Sequence, residues 1–392
     1  MKLVVIKYLN ARIENANTHS TCKYYRIPGD VLEINEVLIG EEIEGNAVWY
    51  KATDDGSYYW SGGLQDPGEV IRNAESFTRE EQFQIYRNAV NFFSALLART
   101  VSGFKGLAAG YKESGNIRQE ALSLVVYVTT KETITGQGIV PAFLVYKGIR
   151  VQTDVRPTGI NSFHNDLIFK DPIRPFMMGG SLAQVGNNGA EVDFGTRGAL
   201  VKSGADTCLL TCYHVACFSL LASGKKSYDG TNIQINIPAR VSESPFDIIS
   251  GKVIRGSIGS YYDFALVAVP EPGQFGNTVD SGIFQGYYNA KEIQDAFLKN
   301  IRLTKFGARN EHKRSGGFRA YHSDAVTVDD KSGFTMSGLI ETENISGEGD
   351  SGAPVVDESN KLLGFIVAGN PAKSSYILPF AVIKTFGIDL IK

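Results

Sequence analysis

Gly349-Asp350-Ser351-Gly352-Ala353-Pro354 is the stretch on which the reading of this 392-residue chain turns. A serine flanked by glycines, with an acid just before it, suits a tight turn that presents a nucleophile. Glycine at 349 lets the backbone bend so that its N–H and that of Ser351 converge on one point, as an oxyanion requires. Alone, the hexapeptide also fits an ordinary turn. Two further segments give it meaning. Leu209-Leu210-Thr211-Cys212-Tyr213-His214-Val215-Ala216 is an apolar run that ends in a histidine, with a helix-like stretch from Ala216 to Ala222 after it. Tyr261-Tyr262-Asp263-Phe264-Ala265-Leu266-Val267-Ala268-Val269 is a strand-like run opened by an aspartate. The order His214, Asp263, Ser351, with gaps of 49 and 88 residues, is one of the chain orders in which a serine, a base and an orienting acid are known to cooperate.

Each residue type has a chemical reason. A serine hydroxyl is a weak nucleophile near neutrality and needs a base within hydrogen-bond reach, the role open to His214. Imidazole titrates near neutral pH, so it can take the serine proton and return it to a leaving group. Asp263 would hold one ring nitrogen and stabilise the imidazolium. Asp247, in Pro245-Phe246-Asp247-Ile248-Ile249, also opens an apolar run and is its rival. The histidines at 19, 164, 312 and 322 sit in no motif and are expected at the surface.

With these three motifs, residues 175 to 392 resemble the chymotrypsin-like (trypsin-like) serine peptidases, of the intracellular bacterial type. The resemblance implies two antiparallel barrels with the site between them, the first carrying His214 and Asp263, the second Ser351. It implies an oxyanion hole from the N–H groups of Gly349 and Ser351. Lys361 to Gly369 matches the strand after the family's nucleophile loop, so Val367, Ala368 and Gly369 are expected along the substrate backbone. Ile345, six residues before Ser351, matches the base of the specificity pocket and implies an apolar or small side chain there, since an unpaired buried charge is costly. In family zymogens the acid before the nucleophile pairs with a freshly cut N-terminus. Asp350 keeps that acid, and Met177-Met178-Gly179-Gly180 loosely matches such a terminus. Pro175 after Arg174 disfavours the cut, so the expectation is an enzyme assembled as made, or one switched by a partner.

Composition restricts the alternatives. A net charge of −3 gives no basic footprint for nucleic acid. No apolar run is long enough to span a membrane as a helix, and Met1 to Lys7 is too short for a signal-peptide core. The cysteines at 22, 208, 212 and 217 are not spaced like the disulfides of secreted relatives, nor like zinc ligands. A cytoplasmic location, no metal and no cofactor are expected.

Three units are expected. Residues 1–66 hold about five short strands punctuated by Pro28-Gly29-Asp30, Gly45-Asn46, Asp54-Asp55-Gly56 and Gly62-Gly63, and resemble bacterial SH3-like β-barrels. Trp49, Tyr50, Tyr58, Tyr59 and Trp60 fit either a ligand groove or the core of a small barrel. Residues 67–165 start with a helix capped by Thr78 and Glu81, with Phe83, Tyr86, Val90, Phe93 and Leu97 on one stripe, followed by strands at 106–112, 121–129 and 149–155. That is a two-layer α/β unit. Residues 166–392 form the peptidase-like part. The fold class is therefore mainly β. The expected function is a serine endopeptidase acting on a protein or peptide target, with residues 1–165 recruiting or binding a protein activator, by analogy with effectors of bacterial defence systems. The alternative is a catalytically silent scaffold that keeps the peptidase fold.

Overall fold

The computed structural model describes residues 1–65, 72–115, 117–130, 140, 142–158, 161, 176–240, 247–308, 312–370 and 373–391. It divides into two compact units, Met1–Pro157 and Thr158–Lys392. The boundaries expected near 66 and 165 lie outside the described residues.

The first unit opens with seven strands: β1 (Lys2–Val5), β2 (Leu9–Arg12), β3 (Cys22–Arg26), β4 (Val31–Ile43), β5 (Asn46–Ala52), β6 (Tyr58–Trp60) and β7 (Leu64–Gln65). They pair antiparallel in the order β3-β2-β6-β5-β4-β1-β7. β2 and β3 go beyond the five strands read from sequence, because their charged and polar residues mask the alternation. Leu3, Val5, Leu9, Ala11, Leu32, Ile34, Ala52 and Tyr59 form the core. Trp49 and Tyr59 are buried, and both tryptophans spend their indole N–H internally, Trp49 on the Glu41 carbonyl and Trp60 on that of Asn46. Two of the five aromatics thus fill the interior, while Tyr50, Tyr58 and Trp60 are half-buried.

Next come β8 (Arg72–Asn73), α1 (Arg79–Thr100), β9 (Phe104–Ser114), β10 (Ile117–Val128), β11 (Phe143–Tyr146) and β12 (Ile149–Pro157). The predicted capping box forms: the Glu81 amide donates to Thr78 Oγ1 and the Glu81 carboxylate takes the Thr78 amide. Phe83, Tyr86, Val90, Phe93 and Leu97 are all buried. The strands run in the order β11-β12-β10-β9, with β10 and β12 parallel.

The second unit carries the three motifs. Its first sheet contains β13 (Ser181–Val185), β14 (Glu191–Thr196), β15 (Ala199–Ser203), β16 (Asp206–Thr211), β17 (Gln234–Ile237), β18 (Ile249–Gly259), β19 (Tyr262–Ala268) and, from the C-terminus, β31 (Ile388–Leu390), in the antiparallel order β14-β13-β17-β18-β19-β16-β15-β31. Two short helices, α2 (Tyr213–Ala216) and α3 (Phe218–Ala222), follow β16. A two-strand ribbon, β20 (Thr278–Val279) and β21 (Gly282–Ile283), and the helix α4 (Ala290–Lys299), capped by Asn289 and Glu292, lead onward. The remaining elements are β22 (Leu303–Phe306), β23 (Lys313–Gly316), β24 (Phe318–His322), β25 (Val326–Asp329), β26 (Phe334–Met336), β27 (Leu339–Glu343), β28 (Pro354–Val356), β29 (Leu362–Asn370), β30 (Ser374–Pro379) and α5 (Phe380–Lys384). Of these, β24-β27-β30-β29-β28-β22-β23 are neighbours in a second sheet, and β25 pairs with β26. One apolar core joins both sheets, with Leu209, Leu210, Leu266 and Val267 from the first and Val356, Leu362, Phe365 and Val367 from the second. The apolar runs before His214 and after Asp263 are therefore core strands. Their polar ends are carried to the region where the two sheets meet.

Candidate active site

His214 follows β16 directly, at the second position of α2. β16 pairs with β19 through Thr211↔Ala265, which brings the Asp263 end of β19 beside the start of α2. The Asp263 carboxylate serves three donors. Oδ1 accepts the backbone N–H of Tyr213 (2.6 Å) and of His214 (3.3 Å), and Oδ2 is bonded to His214 Nδ1. The same carboxylate thus fixes the backbone of α2 and the imidazole ring it carries. His214 Nε2 lies 2.8 Å from Ser351 Oγ. His214, Asp263 and Ser351 are 0%, 3% and 0% exposed, so hydrogen bonds between them are not diluted by water. Asp247, the rival acid, is exposed.

Ser351 sits on the turn between β27 and β28, which is anchored at several points. The Ser351 carbonyl accepts the Thr196 amide (2.8 Å), and Thr196 Oγ1 donates to the Gly349 carbonyl (2.8 Å). The Gly352 amide donates to the Ile366 carbonyl, and the Ala353 amide to that of Asp350. Gly349 (φ +89°) and Gly352 (φ +90°) both occupy the left-handed region that disfavours a side chain, and a Cβ on Gly352 would lie 2.3 Å from the Thr196 carbonyl oxygen. Among the described residues no acceptor takes the N–H of Gly349 or of Ser351. Asp350 points away from this pair of donors. Its Oδ2 accepts the Gly347 amide (2.9 Å) and the Lys305 ammonium (2.8 Å), and both side chains of that ion pair are 1% exposed. Met178, within the stretch read as a candidate new terminus, is buried, and its amide donates to the Thr278 carbonyl.

Sequence reasoning missed Lys305, because a lone lysine in a strand ordinarily points to water, whereas here it shares the buried face of Leu303. The signal was available in Asp350, a buried acid that needs a counter-charge. His322 also departs from expectation. It is fully buried, with Nε2 3.2 Å from Glu341 Oε2 and its ring against Tyr376, because β24 and β27 place both residues inside the second sheet. His19 and His312 are at the surface or half-buried, and His164 lies outside the described residues.

Val367, Ala368 and Gly369 are buried residues of β29. β28 pairs with β29 only as far as Phe365, and the Gly352–Ile366 and Ile366–Ala353 bonds end the contact on that side. Beyond Ile366 that edge of β29 has no strand partner among the described residues, while its other edge pairs with β30. An extended peptide could add there. Ile345 is fully buried, and its Cγ2 would lie 2.8 Å from a Cβ on Gly316, so the side chain is packed over that backbone. The Ile345 and Ser346 amides both donate to Ser375 Oγ.

The group of described side chains whose donor atoms could hold a metal is Cys212, His214 and Asp263, within 4.8 Å of one another. Burial pushes the Cys212 thiol well above its ordinary range, which opposes the thiolate a metal requires, and His214 and Asp263 already satisfy each other. All four cysteines are free thiols. No helix among the described residues is long and apolar enough to cross a membrane.

Solved structures with local similarity are bacterial serine proteases. Thermobifida fusca protease A is 19% identical with a TM-score of 0.38, covering 55% of this chain and 98% of its own. Nocardiopsis protease is 16% identical with a TM-score of 0.38, covering 55% and 99%. Cellulomonas bogoriensis chymotrypsin is 18% identical with a TM-score of 0.37, covering 55% and 97%. No protein-family model matches the chain, and no curated protein does.

Proposed function

We propose that this chain is a serine endopeptidase that cuts a protein or peptide target through an acyl-enzyme. The carrying observation is the continuous contact from the Asp263 carboxylate through His214 Nδ1 and Nε2 to Ser351 Oγ, beside two backbone N–H groups that no acceptor among the described residues takes. In the first step Ser351 Oγ attacks the scissile carbonyl while His214 Nε2 takes its proton. The N–H groups of Gly349 and Ser351 receive the developing oxyanion. His214 then passes the proton to the departing amine, and water, deprotonated by the same nitrogen, releases the acyl group and restores Ser351. Asp263 holds the ring through Nδ1 and stabilises the imidazolium.

The substrate backbone lies along Val367, Ala368 and Gly369, and the pocket near Ile345 takes an apolar or small side chain. The Lys305–Asp350 pair supports an enzyme assembled as made: the acid that zymogens reserve for a new terminus already has a cation. Residues 1–66 are an SH3-like barrel and 67–165 an α/β unit that recruit a target or bind a protein activator. The free cysteines support a reducing, cytoplasmic setting, and a dedicated target fits an effector of a bacterial defence system. One observation favours a second reading, a latent or silent scaffold: Ser351 and His214 are both completely buried, so substrate reaches them only after an opening.

A fluorophosphonate probe with Ser351→Ala as control separates these readings. Labelling of the wild type that is absent in the variant is expected. An unlabelled wild type favours the scaffold.

A further inference from the structure

β13 and β14 form an antiparallel pair in which Gln184 lies directly opposite Asp193, so both side chains leave the same face of the sheet. Gln184 is committed to α3: its Nε2 donates to Ser219 Oγ (2.6 Å) and its Oε1 accepts the Ser219 amide (3.1 Å). That face therefore looks onto the α2–α3 segment that carries His214. Asp193 is 4% exposed, and its Oδ2 has no hydrogen-bond partner among the described residues. The nearby Glu191 cannot match it, being itself an acid whose carboxylate accepts from the Asn236 side chain and the Arg240 amide. Burial pushes the Asp193 carboxyl up to about 7, against the opposing pull of the His214 charge and of a hydrogen bond from the Phe194 amide. Folds rarely leave a buried carboxylate oxygen unmatched, and such a group beside a reacting histidine is a candidate for ligand contact.

Its position fixes which part of a ligand it meets. β14 runs on from Asp193 to Thr196, whose amide holds the Ser351 carbonyl. The free edge of β29 approaches Ser351 from the other sheet, through Gly352 and Ile366. If the acyl half of a substrate adds to β29, the departing half extends towards β14 and α2. We propose that Asp193 is the anchor of a leaving-side subsite for a cation, a Lys or Arg side chain within the first residues after the cut bond. An ammonium or guanidinium there donates to the unmatched Oδ2 and supplies the missing charge. This rests on the peptidase reading above.

The test is protection of the full chain from fluorophosphonate labelling at pH 8, with lysinamide or norleucinamide as mimics of the departing residue. Lysinamide is expected to protect the wild type at a concentration about tenfold lower than norleucinamide does, a ratio typical of one charge-assisted contact. Asp193→Asn should bring the two amides to within about twofold. Equal protection of the wild type by both, none included, overturns the subsite without needing the variant, as does a difference that survives in Asp193→Asn. A wild type that the probe does not label overturns the peptidase reading itself, and the subsite falls with it.

Discussion

Each unit of the molecule contains a polar network built on an aspartate, and the two are put to opposite use. In the first unit Asp55 accepts from the Tyr24 and Tyr59 hydroxyls, the Ser57 amide and Arg26. In the second, Asp263 accepts from two amides and from His214, which reaches Ser351. The Asp55 network contains a guanidinium that never loses its proton and phenols whose ionisation burial opposes, so no member can exchange a proton near neutrality. The Asp263 network contains an imidazole with a hydroxyl on its far nitrogen. A latch and a reacting centre thus differ by which proton can move.

The largest effect that tests this contrast is on turnover. Ser351→Ala or Asp263→Asn should lower peptide hydrolysis by roughly 10⁴ to 10⁶ with the fold intact by circular dichroism. Asp247→Asn, at an exposed site, should leave it within about twofold. The reverse pattern would assign the acid to Asp247 and leave Asp263 a structural cap like Asp55.

Lys305 sharpens the comparison, because its pair with Asp350 is a latch inside the reacting region. Removing one partner of a buried pair strands the other charge, so Lys305→Ala should cost about 3–5 kcal/mol in chemical denaturation. Adding Asp350→Asn to that variant should recover part of the loss, since no charge is then stranded. If Lys305→Ala is neutral, Asp350 does not depend on it, and the case for an enzyme assembled as made collapses.

The sequence announced the contacts made within a motif and concealed those made across sheets. His214 and Asp263 were legible because one ends and the other opens an apolar run, Ser351 because glycines flank it behind an acid, and the Thr78 cap because a capping box is local. Strand 362–370 was legible as a continuous apolar stretch. Asp193 and Lys305 were not: Asp193 occupies the polar slot of an alternating strand, Glu191–Thr196, and Lys305 is a lone charge in Leu303–Phe306, a residue type that ordinarily seeks water. Only the partner sheet turns those slots inward. His322 differs, since it shares the buried face of its strand with Phe318 and Ala320, a period-2 pattern that already turned it inward. β2 and β3 escaped because a small barrel tolerates half-buried polar strands.

Asp193 and Asp55 should also respond to pH with opposite signs. Asp193 is held at about 7, above its unfolded value, so the folded state binds the extra proton between about pH 4 and pH 7. Its contribution to stability is therefore lost as pH rises through that window. Asp193→Asn should remove this loss, gaining on the order of 2–4 kcal/mol over the wild type at pH 8 and little at pH 4. Parallel stability curves for the two proteins would mean that Asp193 has a counter-charge after all.

For Asp55 burial alone would raise the carboxyl, but the hydrogen bonds of Tyr24, Tyr59, the Ser57 amide and Arg26 outweigh it and hold the group at about 2. Its stabilisation is complete above the ordinary carboxylate range and is lost as pH falls towards 2. Arg26 and Asp54 are partly open to water, so the effect is smaller than for a sealed pair: about 1–2 kcal/mol at pH 7 for Asp55→Asn. The variant's melting temperature should converge on the wild type's as the pH approaches 2, and its rate of peptide hydrolysis should not change. A fall in hydrolysis with unchanged stability would contradict the contrast from the other side, since the network of the first unit would then be tied to the chemistry of the second.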